Sequence, residues 1–273
     1  MRRLVSTFAI AVVACSPTRA PSPAEPQGDA APAGPSSGRS PTADTAAETA
    51  SPSTSTAARF EIRALAVEGF LDAVVALPER TEPLPLVVAA HGAGGDPEWT
   101  CRSWAERVRG RRIVLCPRGR AISKRKPWGY YYPDHYALGA EVLAAVSALE
   151  RELGARLAPG GALYTGFSQG ASMGALFVAE HGARFPAVIL TEGGTTEWSL
   201  QSARKYAESG GKRVLFVCGN SGCQRRAEKS AALLEKAGVA ARVEHVPGGG
   251  HTDDGAVGER LDATYGWALG EPQ

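Results

Sequence analysis

Gly166-Phe167-Ser168-Gln169-Gly170 is a Gly-x-Ser-x-Gly segment set between an apolar run, Gly161 to Thr165, and a stretch rich in small residues, Met173 to His181. The apolar run predicts a buried strand and the stretch after Ser168 predicts a helix, so Ser168 falls on a strand-to-helix turn. A sharp turn of that kind lifts a serine hydroxyl clear of its neighbours, where it can act as a nucleophile. It leaves no room for bulk two residues to either side, which accounts for the flanking glycines. The helix that follows aims its free N–H groups at the place where charge develops on a reacting oxygen. Gly-x-Ser-x-Gly by itself is common; here both flanking elements are the ones the chemistry needs.

A serine nucleophile requires a base and a site for the developing oxyanion. Pro247-Gly-Gly-Gly-His251-Thr-Asp-Asp-Gly255 places His251 on a glycine turn after the last predicted strand. An imidazole there can accept the serine proton and pass it to a leaving group. His245 competes but lies inside a strand pattern, and His135 and His181 lie on helix patterns. His91-Gly92-Ala93-Gly94-Gly95-Asp96 ends the first long apolar run. We assign the oxyanion hole to the backbone N–H groups of Ala93 and Gln169, with His91 pinning the turn; a plain strand-to-helix turn is the alternative. Trp128-Gly-Tyr130-Tyr131-Tyr132-Pro133 is an aromatic loop on the same side of the sheet. Trp128, Tyr130 and Tyr131 line a substrate pocket on one reading, and plug the sheet edge on the other.

The rest of the pattern predicts the elements that carry these residues. Two amphipathic, half-exposed strands are expected at 59–67 and 70–77, forming a hairpin around Glu68-Gly69, and further strands at 84–90, 112–116, 161–165, 187–191, 213–217 and 241–246. Helices are expected at 97–108, 135–153, 199–209 and 224–237, after Ser168, and from about Gly255. Apolar runs alternating with amphipathic stretches predict an α/β domain, a mostly parallel central sheet with helices on both faces. Ligands of such sheets sit at the carboxyl ends of the strands, where each candidate residue falls.

Met1-Arg2-Arg3 followed by apolar Leu4 to Ala14 is a targeting segment too short to span a bilayer. It ends Val12-Val13-Ala14-Cys15, which resembles a bacterial lipobox, so residues 1–14 are read as a lipoprotein signal peptide and Cys15 as the lipidated residue. An ordinary secretory signal with an incidental cysteine is the alternative. Residues 15–58, rich in Pro, Ala, Ser and Thr, bury too little apolar surface to fold and form a linker. The folded domain is then 59–273, in the cell envelope on the periplasmic face or outer membrane. Net charge is +2, and the one dense basic cluster, Lys124-Arg125-Lys126, reads as a solvated loop, which excludes nucleic acid as a partner. No metal-ligand spacing occurs among the five histidines. Four cysteines remain once Cys15 is assigned to lipid. In an oxidising compartment local pairing, Cys218 with Cys223 and Cys101 with Cys116, is the simplest arrangement; four buried thiols is the other.

His91-Gly-Ala-Gly-Gly, Gly166-Phe-Ser-Gln-Gly170 and Gly250-His251 together resemble the phospholipase/carboxylesterase and dienelactone-hydrolase branch of the α/β-hydrolases, over roughly Leu84 to Ala268. The resemblance implies a serine esterase that works through a covalent acyl-enzyme, takes a small-molecule ester and needs no cofactor. It also implies a catalytic acid in the loop after the strand at 213–217, and there the chain departs from the family. That loop, Cys218-Gly-Asn-Ser-Gly-Cys223, has no carboxylate. Some members carry the acid one strand earlier, where this chain has Glu192, before Gly193-Gly194. Glu192 is therefore expected to be the acid, the alternative being a glutamate that bonds the Gly-Gly amides. Asp253 and Asp254 follow the histidine and break the family's chain order. A catalytically degenerate scaffold and a peptidase are the rival functions.

Overall fold

The computed structural model describes residues 59–123 and 129–271. The expected signal peptide, Cys15, the linker, the Lys124–Lys126 cluster and Trp128 lie outside the described residues.

The chain opens with β1 (Phe60–Leu65) and β2 (Ala73–Pro78), then β3 (Leu86–Ala90), α1 (Pro97–Arg107) and β4 (Ile113–Cys116). A small hairpin, β5 (Arg120–Ala121) with β6 (Tyr130–Tyr131), precedes α2 (His135–Leu153). Next come β7 (Leu163–Phe167), α3 (Gln169–Val178), β8 (Ala187–Thr191), α4 (Leu200–Glu208), β9 (Arg213–Cys218), α5 (Ser221–Lys236), β10 (Ala240–His245) and α6 (Gly255–Leu269). The main sheet has eight strands in the order β1-β2-β4-β3-β7-β8-β9-β10. β2 runs antiparallel to both neighbours, and every pair from β4 to β10 is parallel.

Side chains alternate across this sheet. Leu86, Val88 and Ala90 of β3 join one core with Leu138 and Val142 of α2, Ala175 of α3, Tyr206 of α4 and Leu234 of α5. Val87 and Ala89 join the other with Trp104 of α1 and Leu261 and Tyr265 of α6. Burial on both faces is why the central strands are apolar throughout. β2 differs from the half-exposed strand its pattern predicts: all six residues are buried. The reason is position, because β2 is inserted between β1 and β4 instead of lying at the edge. Phe70 and Leu71, expected in that strand, sit before it in the hairpin and are exposed.

The helix starts follow from capping. Asp96, Asp134, Ser199, Asn220 and Asp254 each accept a backbone N–H of the turn they precede, satisfying donors that a helix leaves unpaired. Ser168 stands at the same point before α3 and makes no such side-chain bond.

Cys218 and Cys223 are joined, with Cα atoms 5.5 Å apart. The expected Cys101–Cys116 bridge is not formed. Both are buried thiols, Cys101 Sγ facing the carbonyl oxygens of Val74 and Val114 at 3.4 and 3.5 Å. Burial, and then a hydrogen bond with Cys101, push the Cys116 thiol well above its usual range. Packing α1 on β4 brings the two residues together, as their spacing suggests, but as hydrogen-bonded thiols in an apolar core. Alkylation of unfolded, unreduced protein should therefore label Cys101 and Cys116 and leave Cys218 and Cys223 cross-linked. A peptide map showing Cys101 and Cys116 linked would contradict this arrangement.

Candidate active site

The turn at Ser168 is built by steric exclusion. Ser168 has φ 49° and ψ −108°, a region that costs an L-residue on the order of 1–3 kcal/mol. The glycines on either side permit it. A Cβ on Gly166 would lie 2.5 Å from the backbone carbon and oxygen of Gly170, and one on Gly170 would lie 2.5 Å from the Ala90 carbonyl. β7, α3 and the end of β3 are thus pressed together, and Gly170 N–H donates to His91 O at 3.1 Å. What remains free is the Ser168 hydroxyl, at the carboxyl edge of the sheet.

That hydroxyl meets His251 Nε2 at 2.8 Å. His251 Nδ1 lies 3.1 Å from Glu192 Oε2. The three residues come from the end of β7, the end of β8 and the loop after β10. The Glu192 side chain is only 2 % exposed, whereas that of His251 is 58 % exposed. Glu192 also has positive φ, 51°, so two successive strands of the sheet end in a left-handed residue. Its Oε1 accepts the Gly219 N–H, and its Oε2 accepts Asn220 Nδ2 at 2.7 Å. Glu192 therefore does not bond the neighbouring Gly193 and Gly194 amides; Gly194 N–H instead donates to Ser172 Oγ at 3.2 Å.

The competing residues lie elsewhere. His245 ends β10 with a buried Nε2 that has no partner among the described residues. His135 and His181 lie on or beside α2 and α3, His135 starting α2. Asp254 caps α6. Asp253 is buried enough for desolvation to raise its carboxyl above the usual range, and it makes no hydrogen bond to His251. His91 is buried with Nδ1 2.7 Å from Gly92 O and Nε2 2.9 Å from Arg118 O. Burial lowers its pKa, and its ring stacks on Tyr132 at 4.7 Å, so it braces the turn.

Around Ala93 and Gln169 the neighbouring amides are committed: Gly94 N–H to Tyr130 O at 2.8 Å, and Gly170 N–H to His91 O. Ala93 N–H and Gln169 N–H have no protein acceptor among the described residues, and Gln169 N–H opens α3. One unpaired amide lies in the loop after β3 and the other directly follows Ser168 at the start of α3; amides of this kind can bind an oxyanion.

The aromatic loop divides. Tyr132 is a buried plug whose hydroxyl donates to Pro117 O at 3.1 Å, while its N–H donates to Gln169 Oε1 at 2.9 Å. Tyr130, half-buried, bonds Gly94 and Gly95 through its backbone. Its ring borders a groove of about 590 Å³ shared with Phe70, Leu71 and Arg118. Tyr131 is half-buried in β6 and does not line that groove. Arg118 is held by Glu98 Oε1 at 2.6 Å and lies 5.2 Å from the Tyr130 ring. Sequence reasoning missed Arg118, and also Glu141, whose buried carboxylate accepts the N–H groups of Arg118 and Gly119.

No family model matches the chain, and no curated protein is similar to it in sequence. Solved structures are similar to it in fold. TT1662 from Thermus thermophilus superposes with a TM-score of 0.57 at 20% identity, over 78% of this chain and 100% of its own. Poly(aspartic acid) hydrolase-1 from Sphingomonas sp. KT-1 gives 0.54 at 14% identity, over 75% and 97%. Carboxyl esterase 2 from Tuber melanosporum gives 0.55 at 15% identity, over 78% and 86%. The chain has the α/β-hydrolase fold.

If steric exclusion at the turn sets the geometry, Gly166→Ala should destabilise the domain by about 2 kcal/mol or more, the range for overfilling a packed site. Urea unfolding measures it. An unchanged midpoint would show that the turn is not held this way.

Proposed function

We propose that the chain is a serine hydrolase of carboxylic esters, held at the cell envelope by a lipid on Cys15. The observation that carries the reading is the continuous path from Ser168 Oγ to His251 Nε2, and from His251 Nδ1 to the Glu192 carboxylate. In this mechanism Ser168 Oγ attacks the ester carbonyl carbon while His251 Nε2 takes its proton. The carbonyl oxygen becomes an oxyanion, stabilised by the Ala93 and Gln169 N–H groups. Collapse breaks the bond to the alcohol, which leaves with the proton from His251. Water, deprotonated by the same imidazole, then splits the acyl-Ser168 ester and restores the serine. Glu192 holds the tautomer that keeps Nε2 open to the serine and steadies the imidazolium.

Supporting features are the exposed His251 ring and the absence of a long apolar insertion in the sequence. Both favour small or soluble esters over emulsified fat. A carboxyl esterase and a poly(aspartic acid) hydrolase share the fold, which is consistent with hydrolysis. The rival of a catalytically silent scaffold rests on the missing carboxylate between Cys218 and Cys223; a carboxylate in contact with His251 favours the enzyme.

A fluorophosphonate should label the wild-type protein at Ser168, and Ser168→Ala should neither label nor hydrolyse p-nitrophenyl acetate, with a loss of several orders of magnitude in rate. Turnover by Ser168→Ala within about tenfold of wild type would refute the nucleophile. Cys15→Ala should move the protein from the membrane fraction to the soluble one, since stable attachment depends on the acyl chains. A variant still in the membrane pellet would refute the anchor.

A further inference from the structure

Asn220 makes no hydrogen bond to Ser168 or His251, yet it is bonded to the carboxylate that faces His251. Its amide does two jobs at once. The oxygen accepts Cys223 N–H at 2.9 Å and caps α5, and the nitrogen donates to Glu192 Oε2 at 2.7 Å. The cap decides which way round the amide sits. A flipped amide would set its NH2 against the Cys223 N–H and its oxygen against the carboxylate, losing both bonds. The loop bearing Asn220 is closed by the Cys218–Cys223 disulfide. The two sulfurs and a Glu192 carboxylate oxygen lie within 4.8 Å of one another, so the bridge packs directly on the acid. Cross-linked to each other, the two sulfurs are not available to a metal ion.

The same loop steadies the histidine. Gly219 donates its N–H to Glu192, and its carbonyl accepts Gly250 N–H at 3.0 Å, one residue before His251. A Cβ on Gly219 would collide with the Gly250 carbonyl, which keeps the loops in contact. The His251 turn has little stiffness of its own: Gly248 and Gly250 both have positive φ, and the ring is exposed. Its aim is set by Ser168, by Glu192 and by the Phe167 ring 5.2 Å away.

We propose that Asn220, clamped by the Cys218–Cys223 bridge, is a positioning residue that fixes the Glu192 carboxylate toward His251 Nδ1. This rests on the triad reading above. Oε2 is shared between the Asn220 amide and the imidazole. With the amide in place the carboxylate cannot rotate about its last torsion without giving up a hydrogen bond in a nearly water-free site. A neutral donor suits this position, since it steadies the anion without competing for the proton. An aspartate would set a second carboxylate beside Glu192, and one of the two would take up a proton.

Asn220→Gly separates the two jobs, because glycine is accepted at a helix N-cap nearly as well as asparagine but has no side chain to donate to Glu192. We expect Asn220→Gly to melt within a few degrees of wild type. Its kcat for p-nitrophenyl acetate should fall about tenfold or more with KM within about threefold, as when a group orienting a catalytic residue is lost. Combined with Glu192→Gln, the loss should be no larger than that of Glu192→Gln alone, because the two residues act as one unit. Losses that multiply, or Asn220→Gly turnover within about twofold of wild type, would overturn the inference. Fluorophosphonate labelling tells the two failures apart. If wild type and Asn220→Gly label at the same rate, only the role of Asn220 falls. If wild type neither labels nor hydrolyses, the esterase reading falls and takes this inference with it.

Discussion

A carboxylate nearly sealed from water at the end of a strand is the constraint to which the surrounding structure answers. Leaving Glu192 charged and unpaired there would cost several kcal/mol. Its surroundings supply three donors instead: Gly219 N–H, Asn220 Nδ2 and His251 Nδ1. Two of these come from the loop after β9 and one from the loop after β10. Meeting the needs of this one anion therefore draws two loops together over the end of β8. The positive φ of Glu192 turns the side chain along the carboxyl edge, and Glu192 N–H donating to Val217 O at 3.0 Å extends the parallel ladder to that point.

Sheet order makes this possible without long excursions of the chain. β7, β8, β9 and β10 are neighbours, so their ends deliver serine, carboxylate, amide donors and imidazole in sequence along one edge. Each delivery depends on a close approach of backbones. Gly170 against Ala90, Gly193 against Ser168 and Gly219 against Gly250 are contacts that a Cβ would prevent. The disulfide adds local restraint, tying the end of β9 to the first turn of α5 around the residue that bonds the acid. On the far side of Ser168, the buried His91 ring, Tyr132 and the carboxylate of Glu141 hold the β3 loop and the segment after β4 in place. The serine thus lies between two braced walls.

Much of this was legible in the residues. Apolar runs with clear flanks gave strand and helix positions close to those observed, as for 135–153 and 187–191, because burial on both faces leaves a continuous signal. The strand-to-helix turn at Ser168 was legible because it needs glycine at fixed offsets, and the turn bearing His251 because its glycines follow the last strand. What failed was whatever depends on which neighbour a segment meets. β2 reads as half-exposed until its place between β1 and β4 is known. The spacing of Cys101 and Cys116 places them near each other but does not say whether their sulfurs join. In the aromatic loop Tyr130 and Tyr132 read alike; only packing makes one a groove wall and the other a plug. Asn220 was hidden because an asparagine before a helix already has a sufficient role as a cap. Its second bond, to a residue one strand away, leaves no mark on the local pattern.

The account turns on which carboxylate serves His251, and a comparison of kcat for Glu192→Gln and Asp253→Asn decides it most directly. Asp253 is the fair control, being half-buried and in electrostatic contact with the same histidine. Neutralising a triad acid leaves its geometry but forfeits support for the imidazolium. Glu192→Gln should therefore lose roughly a hundredfold or more in kcat with its fold intact, and Asp253→Asn should stay within about tenfold of wild type. The reverse pattern, Glu192→Gln near wild type and Asp253→Asn nearly inactive, would contradict the account.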